Sequence, residues 1–119
     1  MNHDLELASA LKSSLELAGV TIRPDLAEQG DGPPYVVFAE IALPEGTYIL
    51  SGESSLTPSR YQIDIFAATR LEANALAQAV TSKLEEVFSA VVLNRQSLFE
   101  TDTRLRRVLL DLYIWFVNA

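Results

Sequence analysis

The chain has 119 residues, 49% of them hydrophobic and 21% charged, which suits a single domain (1–119) able to bury its own core. It contains no cysteine and one histidine, His3, so disulfides, thiolate zinc sites and cysteine nucleophiles are excluded, and any histidine-based triad or metal site would rest on one residue. The net charge of −7 lies wholly in residues 1–58, where nine acids face only Lys12 and Arg23; residues 59–119 balance seven acids against seven bases.

An acidic chain does not grip phosphate backbones over a broad face, so nucleic-acid binding of that kind is not expected. The charge serves solubility, or gives a surface that must not stick to nearby nucleic acid. No apolar run reaches the roughly 18 residues of a membrane span. The opening "MNHDLELASA" is acidic and amphipathic, unlike a secretory signal, and a cytoplasm-like compartment is the expectation.

Residues 4–18 have the spacing of an amphipathic helix. Asp4 stands at the N-cap, Ala8, Leu11, Leu15 and Ala18 form the stripe, and Gly19 can end it in a left-handed turn. "VTIRP" is a short strand or extended piece stopped by Pro24, and residues 25–34 are a surface loop by composition. "YVVFAEIAL", Tyr35 to Leu43, is rich in β-branched and aromatic residues and predicts a strand covered on both faces for part of its length.

Residues 44–59 are the longest irregular stretch, with "TYIL" as a possible hairpin arm. Its glycines, its serines and its lack of a periodic apolar face predict a loop that is mobile in the free subunit and orders on assembly.

Arg60 to Ala67 alternates, with Tyr61, Ile63, Ile65 and Ala67 on one face and Gln62, Asp64 and Phe66 on the other. Thr69 and Glu72 then make a capping box, opening an alanine-rich helix to about Phe88. "VVLNRQSLFETD" predicts a strand. "TRLRRVLLDLYIWFVN" predicts a long closing strand with Val108, Leu110, Leu112 and Ile114 on one face. Both its faces are largely apolar, which places it inside a sheet.

These pieces assemble into an α+β domain: a mostly antiparallel sheet of about four strands with two helices on one face. If the second face, on which Phe38, Phe66, Tyr113 and Trp115 could lie, is open, it calls for a neighbouring subunit.

Chemistry-bearing residues are few. Asp64 and Asp111 could act as paired carboxylates of a small α+β enzyme, but no third ligand or activated nucleophile accompanies them, and pairing with arginines across the sheet is the simpler expectation. Glu100, Asp102 and Arg104 resemble a fragment of a cation loop without its glycine, and read as turn chemistry. The serines of "SGESS", Ser51 to Ser55, have nothing nearby to activate them.

Arg60, Arg95, Arg104, Arg106 and Arg107 form the only basic concentration, with Arg104 and Arg106 on one strand face and Arg107 on the other. They suit a neighbour's acidic half, or else form a solvated run.

The pattern as a whole resembles the small tail-completion proteins of long-tailed bacteriophages. The likeness lies in the first helix ending at Gly19 before "VTIRP", in "PPYVVFAEI", in "RYQIDIFAATRLEANALAQAV" and in "ETDTRLRRVLLDLYIWF". Phe66 stands where that family commonly has tryptophan, and the stretch after Leu43 has no counterpart.

The resemblance implies a structural, non-enzymatic virion protein without cofactor or metal, assembled in the host bacterial cytoplasm. It would form a ring, commonly of six copies, at the head-proximal end of the tail. Its partners would be itself, the tail-tube protein and the head connector or adaptor, with DNA passing through the lumen unbound and no membrane involved. A tail terminator or head-side adaptor is the neighbouring alternative, and an enzyme using Asp64 and Asp111 the distant one. Subunit or partner contacts are expected at Tyr48, Glu53, Arg60, Arg95, Arg104, Arg106 and Arg107.

Overall fold

A computed structural model describes residues 4–14, 19–25, 32–42 and 56–117, with the backbone alone for 42, 56–58, 116 and 117. His3, the end of the predicted first helix (15–18), the "TYIL" arm, Tyr48, Glu53 and the serines of 51–55 lie outside these residues.

The described elements are α1 (Asp4–Lys12), β1 (Thr21–Pro24), β2 (Tyr35–Ala42), β3 (Leu56–Ala67), α2 (Arg70–Phe88), β4 (Val91–Phe99) and β5 (Arg106–Val117). They form one sheet in the order β1-β2-β3-β5-β4. β1 runs parallel to β2, and the other three pairings are antiparallel. The architecture is the expected α+β domain, with five strands in place of about four. The difference is β1, read from the sequence as a short strand or extended piece, whose four residues pair with Tyr35–Phe38. So short a strand carries too few residues to display a period, and only its partner defines it.

Two boundaries differ from the sequence reading. α1 ends at Lys12, where the Ser13 hydroxyl donates to the Ala10 carbonyl at 2.7 Å, a side-chain bond that competes with further helix. Gly19 does adopt the left-handed conformation, φ 82°, close to the entry into β1.

β3 begins at Leu56, inside the stretch expected to be loop, because residues 56–59 pair with the far end of β5. Among the described residues β2 pairing stops at Arg60, so Pro58 has a ladder partner on the β5 side alone.

The alternation predicted for β3 and β5 is realised. Tyr61, Ile63, Ile65 and Ala67, with Val108, Leu110, Leu112 and Ile114, are buried beneath α2, which adds Ala73, Leu76, Ala77, Val80 and Leu84. The small alanines let the helix approach the strands closely. α1 contributes Leu7 and Leu11 to the same layer, so both helices cover one face.

Each fully buried leucine or isoleucine contributes about 1.5–3 kcal/mol relative to exposure. Phe38, which could have lain on the open face, sits in this core beside Tyr61, ring centroids 6.3 Å apart. α2 is fixed at its start by Thr69, whose hydroxyl accepts from the Glu72 amide at 3.2 Å, and ends at Ser89 in the left-handed conformation.

Candidate assembly interface

The sheet face away from the helices carries the charged residues that the sequence singled out. Register places Gln62 opposite Asp111 and Arg60 opposite Tyr113, so Arg60 reaches Asp111 on the diagonal. Its Nε donates to Asp111 Oδ1 at 2.9 Å and its Nη2 to Oδ2, a bidentate pair. The hydrogen bond from Arg60, ahead of its charge, holds the Asp111 carboxyl below the usual carboxylate range and raises the guanidinium in turn.

Arg107 joins two acids. Its Nε donates to Asp64 Oδ1 at 3.0 Å and its Nη1 to Glu100 Oε1 at 2.9 Å, while Gln62 Nε2 donates to Asp64 Oδ2 at 3.1 Å. Burial alone would lower the Arg107 pKa, but the bonds to Asp64 and Glu100 outweigh it and raise it. The Arg107 guanidinium lies 5.5 Å from the Phe66 ring centroid, and Phe66 stacks on Tyr35 at 4.8 Å.

The pairing of Asp64 and Asp111 with arginines is therefore as the sequence suggests, although Asp64 is more buried than an outward position implies, at 9% exposure. Each carboxylate is occupied by its own arginine. Among the described residues no group of three His, Asp or Glu side chains is placed to hold a metal.

The open face is also less bare than its sequence implies. Tyr35, Phe66, Leu109, Tyr113 and Trp115 lie half-buried among the side chains of Arg60, Gln62, Asp64, Arg107 and Asp111.

The unsatisfied surface is instead the β4 edge. All nine residues of β4 are exposed. Val91, Val92, Leu93, Leu98 and Phe99 are five of the nine large apolar side chains exposed among the described residues. A register shift between Val92 and Asn94 makes Leu93 a bulge residue.

Arg95 is the one charge on β4, and its Nη2 donates to Asn74 Oδ1 of α2 at 3.2 Å. At the end of the strand Arg106 lies 4.4 Å from the Phe99 ring centroid, beside a cavity of about 180 Å³ that Arg70, Asn74 and Ser97 also line.

The acidic side lies across the sheet. The Tyr61 hydroxyl donates to Asp4 Oδ1 at 2.9 Å. Burial first, then that bond and the charges of Asp4, Glu40 and Glu6, push the phenol well above its ordinary pKa. Leu5 and Ile41 are exposed beside these acids, Ile41 in a second bulge between Glu40 and Ala42.

Of the arginines singled out in the sequence, Arg60 and Arg107 are held by the subunit's own carboxylates. Arg104 is not on a strand with Arg106, as its spacing suggested. It sits in the turn before β5 with φ 61°, its amide donating to the Glu100 carbonyl at 2.8 Å. The Glu100–Asp102–Arg104 cluster is thus turn structure.

Sequence reasoning missed the β4 edge, Arg70 and Asn74. The available signal was a nine-residue strand, "VVLNRQSLF", with one charge and no proline or glycine.

The family model described as "Tail completion protein gp17" matches residues 6–116. No curated protein gives a sequence match. In fold, the chain is similar to a chain of the virion of a native gene transfer agent particle: TM-score 0.60, 15% identity, covering 94% of this chain and 84% of that one. A crystal structure from Akkermansia muciniphila overlaps more loosely, with TM-score 0.45 and 14% identity over 71% of this chain and 42% of that one. With nearly its whole length matched, the chain belongs to the tail completion protein gp17 family, structural proteins of the bacteriophage virion.

Proposed function

We propose that this protein forms a closed ring, of six copies, at the head-proximal end of a phage tail. The ring caps the tail tube and joins it to the head connector. It acts by fitting against copies of itself and against other virion proteins, and transforms no substrate.

The observation that carries this reading is the family match over residues 6–116. Two features support it. All the net charge lies in the first half of the chain, and an acidic surface lets DNA slide through a lumen without sticking. The two candidate catalytic carboxylates, Asp64 and Asp111, are each neutralised by an arginine.

In this reading Arg95, Arg104 and Arg106, which no carboxylate among the described residues is shown to hold, contact a neighbour, as do Tyr48 and Glu53. Deleting the gene from the phage or particle that encodes it, followed by electron microscopy, tests the role. Filled heads beside separate tails of normal length are expected. Overlong tubes would point to tail termination instead, and normal infectious particles would refute both.

A further inference from the structure

The two sides of the sheet carry opposite charge around apolar centres. On the β4 side, Val91, Leu93, Leu98 and Phe99 are exposed and flanked by Arg95 and Arg106. On the α1–β2 side, Leu5 and Ile41 are exposed and flanked by Glu6 and Glu40. The strand order β1-β2-β3-β5-β4 sets these two surfaces apart, with β3 and β5 between them.

Each surface has the anatomy of half an interface: apolar side chains at the centre and a charged rim. The rims are complementary to each other and not to themselves. In each case an extra residue in a bulge, Leu93 or Ile41, adds an apolar side chain to the surface. β4 is also a nine-residue edge strand without proline, its one charge, Arg95, turned toward α2.

We infer that the β4 edge of one subunit seats the acidic α1–β2 side of a second copy of this chain. The contact is head to tail. Pairing of β4 with another β4 would bring Arg95 and Arg106 against their own copies, and like charges across an interface weaken it. A head-to-tail contact between unlike surfaces builds a ring when its rotation closes. The inference rests on the ring reading for that closure alone.

The test uses two charge-reversed forms of the whole chain. One carries Arg95→Glu and Arg106→Glu; the other carries Glu6→Lys and Glu40→Lys. Circular dichroism and the melting of Trp115 fluorescence establish that both fold. Leu98→Glu with Arg95→Glu replaces the first form, and Leu5→Lys with Glu40→Lys the second, if either fails to fold. Association is followed by native mass spectrometry and light scattering up to high protein concentration.

Each reversed form alone should associate at least about tenfold more weakly than the wild type. A 1:1 mixture should restore assembly, because every contact in an alternating chain then pairs opposite charges. Wild-type association by a Glu6→Lys/Glu40→Lys form would overturn the inference, since it would show contact without the acidic side. Assembly of the mixture that stops at dimers, or no association between the two forms at any concentration, would overturn it as well.

The virion role is read separately. Rescue on mixing supports the contact even if particles lack the protein. A clear joining defect on gene deletion with no rescue on mixing would remove the contact and leave the role.

Discussion

The Arg107 pairs allow a direct test of whether the charged face belongs to the subunit or to its assembly. Arg107 side-chain exposure is 24%, that of Asp64 13% and that of Glu100 35%. Breaking a fully buried ion pair costs about 3–5 kcal/mol, and an exposed pair contributes about 0.2–1 kcal/mol. Asp64–Arg107 lies between these limits and nearer the buried one. Arg107→Ala should therefore destabilise the isolated subunit by about 2–3 kcal/mol, and the Asp64–Arg107 double-mutant cycle should give a coupling of about 1–2 kcal/mol. The Glu100–Arg107 cycle should give less than about 1 kcal/mol, and 1 M salt should weaken that arm more, because Glu100 is the more exposed partner. Urea unfolding followed through the only tryptophan, half-buried Trp115 on β5, supplies the measurement. A coupling below about 0.3 kcal/mol for Asp64, or a larger one for Glu100, would refute the assignment.

Two further outcomes follow from the core and from Tyr61. Leu110 is completely buried between α2 and the sheet, and Leu110→Ala should cost about 2–5 kcal/mol in the same unfolding assay; Val91→Ala on the exposed β4 edge should stay within about 0.5 kcal/mol. The Tyr61 phenol has its pKa raised in the folded state, so it favours folding fully below the ordinary tyrosine value near 10, and that stability is lost as pH climbs above it. Ultraviolet titration should show one of the four tyrosines failing to ionise with the rest until the protein unfolds, and Tyr61→Phe should remove that lag and soften the alkaline loss of stability.

The fold was legible wherever a period ran long enough to be forced by burial. β3 and β5 alternate over eight or more residues, and a slip of one position would turn Ile63 or Leu110 out of the core, so their faces were determined before any partner was known. α2 announced itself through Thr69 and an apolar stripe broad enough to fix its underside. Where pairing and not pattern decides, the sequence reads residues 56–59 as loop and leaves "VTIRP" open between a short strand and an extended piece. Residues 56–59 look like loop until β5 lies alongside, and β1 is a strand only because Tyr35–Phe38 accept it.

The site followed the same division. Opposite charges on β3 and β5 could be matched in outline, but the choice of Asp111 for Arg60 depends on register. The weight of the β4 edge depends on strand order, since Val91, Val92, Leu93, Leu98 and Phe99 are exposed only because no further strand lies beside β4 among the described residues.

Strand order also explains why the broad face is charged. A sheet with helices on one side leaves a second face that must be covered by a partner or be content in water. Here the bidentate Arg60–Asp111 pair and the Arg107 pairs with Asp64 and Glu100 cross that face, with Arg60 and Glu100 the groups most open to water. Stacking another flat surface on it would strip solvent from these ions without adding a new partner, which opposes association. The face therefore disfavours casual sheet-on-sheet contacts, in contrast to the exposed apolar side chains of the β4 edge and the α1–β2 side. A subunit built in this way can add to its neighbours in few orientations. Such a restriction would suit the closed ring proposed above, which one misoriented copy would leave open.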